Sequence, residues 1–151
     1  MSLDSSEFDN EVRLSVYRHF VRTGEAPTVR HTSDELGIPP AATTSSLERL
    51  AAAHVLVLHP STRRLWMAMP FSAVPTAFRV RARGREWWAN CAWDALGISA
   101  MLEEPAEIRT TCGDCGDPPP IRTTGRGVAE GAGVVHFAVP SASWWDDIGF
   151  T

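Results

Sequence analysis

Apolar residues recur at helical spacing in the first part of the chain and at shorter, alternating spacing afterwards. Val12, Val16, Phe20 and Val21, with Leu14 and Tyr17 between them, predict one face of a first helix, which Gly24 and Pro27 close. Thr32-Ser33-Asp34-Glu35 predicts the cap of a short second helix that stops at Gly37. Beyond Ile38-Pro39-Pro40, the residues Leu47, Leu50 and Ala51 predict the inward face of a third helix. Val55-Leu56-Val57-Leu58 and Leu65-Trp66-Met67, joined through Pro60-Ser61-Thr62-Arg63, predict a hairpin.

After about residue 70 the pattern changes to strands with a single helix. Phe78-Arg79-Val80-Arg81-Ala82-Arg83 alternates, and Arg83-Gly84 turns the chain into Glu86-Trp87-Trp88. A helix then runs to Leu102, with Leu96, Ile98 and Met101 as its apolar contacts. Glu107-Ile108-Arg109-Thr110-Thr111 and Val134-Val135-His136-Phe137-Ala138-Val139 predict further strands. Pro118-Pro119-Pro120 and Gly125-Arg126-Gly127 mark connections, and Pro140-Ser141-Ala142-Ser143 caps a short turn containing Trp144, Trp145, Asp146 and Asp147. The expected fold class is α+β. Residues 6–70 are expected to form a winged helix-turn-helix of three helices and a β-wing, and residues 71–151 a small mixed β-sheet domain whose one helix carries the site.

Composition narrows the function. With 44% hydrophobic residues in 151, the chain can bury a sizeable core, and its net charge of −4 argues against a general nucleic-acid coat or a membrane-surface protein. The start, Met1-Ser2-Leu3-Asp4-Ser5-Ser6, is polar rather than signal-like, and no apolar run is long enough to span a bilayer. Three cysteines are too few for a disulfide scaffold, so a reducing cytoplasm is the expected location. A winged helix invites DNA as a partner. Its recognition helix, however, offers Thr43, Thr44, Ser45, Ser46 and a single cation, Arg49, with His59, Arg63 and Arg64 on the wing and Arg30 and His31 before the second helix. Phosphate binding needs more positive charge than that. A structural or dimerising module is the greater reading of this half, and DNA contact the lesser. Arg79, Arg81, Arg83 and Arg85 read first as a solvated sheet face and second as an anion groove.

Chemistry concentrates in Trp87-Trp88-Ala89-Asn90-Cys91-Ala92-Trp93-Asp94-Ala95-Leu96, where a strand turns into a helix. Cys91 and Asp94 stand three residues apart, a spacing that shares a helix face. The positive end of the helix dipole favours the Cys91 thiolate, and burial against Trp87, Trp88 and Trp93 is expected to keep Asp94 protonated. The plain alternatives are that Cys91 is a small buried hydrophobe and Asp94 a favourable charge in a first helical turn. Thr111-Cys112-Gly113-Asp114-Cys115-Gly116 adds a C-x-x-C. Cys112 and Cys115 resemble half of a zinc knuckle, but a closed zinc site needs four ligands and there is no second C-x-x-C or H-x-x-x-H; His136 or Cys91 could contribute, though the spacing does not demand it. A redox pair, or two small residues packed in a tight loop, are the other readings.

The order of winged helix, strand, W-x-x-C-A-x-D-A-L helix and a cysteine after the next strand resembles the alkylmercury (organomercurial) lyase family. The C-A-x-D segment is its specific motif, and Val134-Val135-His136-Phe137-Ala138-Val139-Pro140 is similar to the strand before the family's last active-site segment. The resemblance implies that Cys91 and Asp94 are catalytic and that Cys112 matches a cysteine regarded as structural. It also implies that the winged helix is a structural part of an enzyme. Cys91 thiolate would bind R–Hg⁺, since mercury is soft and prefers sulfur, and protonated Asp94 would deliver its proton to the departing carbon. No cofactor is required. The expected partners are a small organomercurial or soft-metal ligand and cellular thiols, with no membrane. The family uses a second catalytic cysteine shortly beyond the stretch matched by Asp146-Asp147-Ile148-Gly149-Phe150-Thr151, and no residue here matches it. The sequence either stops short of a longer protein or lacks that thiolate, with Cys115 a spatial substitute. One thiolate predicts organomercurial binding with slow cleavage. The alternatives are a winged-helix regulator that senses soft metals through Cys91, Cys112 and Cys115, and a non-catalytic relative that binds a metal or thiol ligand.

Overall fold

The structure is a computed structural model that describes residues 5–131 and 133–149. The first helix, α1 (Ser5–Thr23), buries Val12, Ser15, Val16 and Phe20, residues spaced so as to fall on one side. It stops at Gly24, whose φ of +83° lies in the left-handed region and whose Cα approaches the Glu86 carbonyl so closely that a Cβ would stand 2.4 Å from it. Helix α2 (Val29–Leu36) is capped by Thr28, whose hydroxyl accepts from the His31 N–H at 3.1 Å, and it ends on Gly37 as expected. The expected cap at Thr32 is therefore one helical turn too late. Thr32 and Ser33 are buried inside α2, and Ser33 Oγ instead bonds Thr43 Oγ1 of the next helix at 2.8 Å. Helix α3 (Pro40–Ala52) begins on a proline, which leaves no donor unsatisfied at that position.

Eight strands follow: β1 (Val57–Leu58), β2 (Leu65–Ala68), β3 (Phe71–Ser72), β4 (Phe78–Ala82), β5 (Arg85–Ala89), β6 (Ala106–Arg109), β7 (Ile121–Thr123) and β8 (Val128–Glu130). They form one sheet in the order β1-β2-β3-β5-β4-β6-β7-β8. Every pairing is antiparallel, so the sheet is not the mixed one expected. Residue 70 lies between β2 and β3, which pair with each other, so the sheet runs without a break from the hairpin into the second half. One apolar cluster joins Val12, Val16 and Phe20 of α1 to Phe71, Val80, Trp87 and Ile98. The Trp87 indole N–H donates to the Phe20 carbonyl at 2.7 Å and ties the last turn of α1 to β5.

Helix α4 (Ala92–Leu102) packs on the sheet through Ala95, Ile98, Ser99 and Leu102. Ile98 was expected on that face, but Met101 is 42% exposed, because the inward stripe runs 95, 98, 99, 102. The strand expected over residues 134–139 is absent. Val134 is 93% exposed, Val135 and Phe137 are exposed too, and the segment pairs with no strand; β-branched residues favour a strand only where a pleated surface is there to pack on. Phe137 packs instead on Trp144 in a short 3-10 helix (Ser141–Asp146), whose Trp145 stacks on His54 at 4.0 Å. Among the described residues no helix is long and apolar enough to cross a membrane.

Most of the arginines singled out in the sequence have acidic partners. Arg49 donates to both carboxylate oxygens of Asp9, at 2.6 and 2.8 Å. Arg63 pairs with Glu48 and Arg30 with Asp34. On β4, Arg79 lies over the Trp88 ring and pairs with Glu86, while Arg83, just beyond the strand, pairs with Glu104. Two of the four alternating arginines, Arg79 and Arg83, are thus ion-paired.

Candidate active site

Strand β5 ends at Ala89, and after Asn90 and Cys91 the chain enters α4. Cys91 is the N-cap: its φ of −149° is extended, and its sulfur accepts from the Asp94 N–H at 3.5 Å. A thiol thus takes the place usually held by a serine or aspartate oxygen. This cap folds the sulfur back over the first turn, toward the side on which the Asp94 carboxyl lies. Asp94 Oδ2 accepts from Asn90 Nδ2 at 2.9 Å, and that amide also reaches the Phe71 carbonyl at 3.3 Å. Asn90 Oδ1 is buried with no hydrogen-bond partner. Cys91, Asp94 and Asn90 are each half-buried.

Burial shifts both reactive groups in the direction of their neutral forms. Burial raises the Asp94 carboxyl above its ordinary range against the opposing hydrogen bonds from Asn90 and Cys91. Burial also raises the Cys91 thiol, more than the Asp94 and Trp93 backbone N–H groups lower it. For Asp94 the expected direction holds. For Cys91 it is reversed, because removing sulfur from water outweighs the donors at the helix start. The tryptophans do not enclose the carboxyl as expected: Trp93 is 65% exposed, Trp87 donates to α1, and Trp88 lies beneath Arg79.

Two residues that sequence reasoning passed over complete this surround. Burial raises the phenol of Tyr17 on α1, and the charge of Asp94 adds to the rise. Its hydroxyl donates to the Met69 carbonyl at 2.8 Å, and its ring meets Phe71 edge-on at 6.4 Å. Asn90 is the second, and its position directly before the C-A-x-D segment was the one available signal for it. Tyr17, more than seventy residues upstream, left none.

Cys112 and Cys115 lie on a turn three residues past β6. The turn is closed by the Gly116 N–H on the Cys112 carbonyl at 3.0 Å and by the Cys112 N–H on the Asp117 carbonyl at 2.8 Å. All three cysteines are unpaired by disulfide; Cys112 is partly exposed and Cys115 exposed. The Cys112 thiol is lowered, chiefly by the Cys115 and Asp114 backbone N–H groups. His136 is exposed, and among the described residues no three His, Cys, Asp or Glu side chains are placed to share a metal ion. A separate groove of about 500 Å³ lies between the end of α1 and β5, lined by Gly24, Arg79, Glu86 and Trp88 among others.

No curated protein matches the sequence. Of solved structures, the crystal structure of the mercury-bound form of MerB2 superposes with a TM-score of 0.60 at 21% identity, covering 83% of this chain and 67% of that one. That likeness establishes the mixed helix and antiparallel-sheet fold. The model of the MerB family, alkylmercury lyase, matches residues 71–151, from β3 through α4 to the last residue. This match covers more than half of the chain, and the chain belongs to the alkylmercury lyase family.

Proposed function

We propose that this protein cleaves carbon–mercury bonds of small organomercurials by protonolysis, with Cys91 as the sulfur ligand and Asp94 as the proton donor. The observation that carries this reading is the Cys91 cap, which sets a thiol beside a half-buried carboxyl on the first turn of α4. The proposed pair begins with one proton between its two groups, a Cys91 thiol beside an Asp94 carboxylate. Binding R–Hg⁺ displaces the thiol proton, for which the adjacent carboxylate is the nearest base. A Hg–S bond forms, an S–H bond breaks, and Asp94 becomes the acid. The Hg–C bond then breaks with its electron pair on carbon, carbon takes the Asp94 proton, and R–H leaves with Hg(II) on sulfur. Burial of the Asp94 carboxyl limits its access to water, which favours proton delivery to carbon. Asn90 fixes its orientation. Cellular thiols would remove Hg(II). One sulfur ligand at this position fits slow turnover unless a second thiolate is supplied.

A DNA-binding regulator is the weaker reading, since Arg49 is held by Asp9, and Arg63 and Arg30 by Glu48 and Asp34. The test is benzene release from phenylmercury with excess monothiol. Wild type should release benzene, Cys91→Ser should lose the activity, and Asp94→Asn should lose about 10²–10⁴-fold, the range of a general acid. In the mercury-bound enzyme the rate should fall as pH rises through the raised Asp94 range, because only the protonated carboxyl is productive. Equal release by wild type and Cys91→Ser would end the proposal.

A further inference from the structure

Strands β5 and β6 both pair antiparallel with β4, so they run in the same direction on either side of it. Trp88 of β5 and Arg109 of β6 face the same residue, Arg79. The two strands therefore leave the sheet at the same end, roughly 10 Å apart given two inter-strand spacings. Cys91 follows the first strand by two residues and Cys112 the second by three. The sheet thus brings the three thiols of the chain to one rim, on two neighbouring connections.

We propose that the Cys112–Cys115 turn is a dithiol site for Hg(II), separate from Cys91 and placed to receive the metal that Cys91 releases. Its role as acceptor rests on the lyase reading, but its capacity to bind inorganic mercury does not. Three features of the turn support it. The two cysteines sit at the ends of a closed turn, with the Cys112 carbonyl held by the Gly116 N–H at 3.0 Å. Both are open to solvent at least in part and neither is in a disulfide. The Cys112 N–H is bound to the Asp117 carbonyl at 2.8 Å, so the turn is pinned on both sides of its first cysteine. Among the described residues no third or fourth side chain is placed to complete a tetrahedral zinc site. A two-coordinate soft cation needs only the pair. In the transfer step the two S–H bonds of the turn break and two Hg–S bonds form, while the two Hg–S bonds to the donor thiolates break and those thiolates take the protons, with no change of oxidation state.

Mercuric chloride is the probe, offered to full-length protein in millimolar monothiol and followed by sulfur-to-mercury charge-transfer absorbance and by dialysis. Cys91→Ser should retain mercury. Adding Cys115→Ser, an exposed change that leaves the fold intact by circular dichroism, should weaken retention on the order of 100-fold, as expected when one of two linked ligands is lost. If Cys91→Ser retains none, or the double variant retains as much as Cys91→Ser, the dithiol site is wrong. Benzene release by wild type is scored separately. Failure there with mercury retained by Cys91→Ser removes the lyase reading and leaves this site standing.

Discussion

Asp94 gives up water on folding and gains in return one hydrogen bond from the Asn90 amide and a contact with the Cys91 sulfur. Its folded pKa lies above the unfolded value of 3.8, so between the two the native chain holds more proton than the unfolded one. Stability therefore falls as pH rises through that window and stays reduced above it. Asp94→Asn removes the penalty and keeps an acceptor for Asn90. In thermal melts the variant should match wild type near the acid end and exceed it increasingly toward neutral pH; a constant difference would contradict the raised carboxyl. The Cys91–Asp94 pair was legible in the sequence because both residues lie in one short segment whose local geometry is a cap and a first turn. The direction of the thiol shift was not, since a dipole can be read from helix position whereas burial depends on α1 and the β2–β3 connection. Tyr17 comes near Asp94, and the Phe71 carbonyl meets the Asn90 amide, only through tertiary packing, and no spacing rule joins them.

At the level of elements, the hydrophobic spacing placed all four helices and the first hairpin, and it erred where two local signals competed. Thr28 and Thr32 are both competent caps one turn apart, and burial of Thr32 against the helix bundle decided between them. Residues 134–139 have strand-forming side chains and pair with none of the eight strands, which only the assembled fold could reveal. The end of α1 is more tightly determined. Gly24 combines φ of +83° with backbone of β5 at the distance a Cβ would need. Gly24→Ala should cost about 1–3 kcal/mol from strain, with more added by the clash with Glu86. A fall in the urea midpoint measures it, and an unchanged midpoint would mean that α1 does not dock as described.

For the whole molecule, the joint between α1 and the sheet determines whether the halves unfold together. Trp87 is 2% exposed and its indole N–H is bound to the Phe20 carbonyl, in the middle of an apolar cluster drawn from both halves. Trp87→Phe keeps most of the ring and leaves that carbonyl without its donor, a loss of about 1–3 kcal/mol. Circular dichroism should then show one cooperative transition at lower temperature; two separated transitions would mean that each half carries its own stability. The common exit of β5 and β6 has a practical consequence as well. With Cys91, Cys112 and Cys115 following that one edge, the protein has a sulfur-bearing pole, and the opposite end of the sheet has no thiol. On a bare gold electrode, copies should anchor in a common orientation with that opposite end turned toward the liquid.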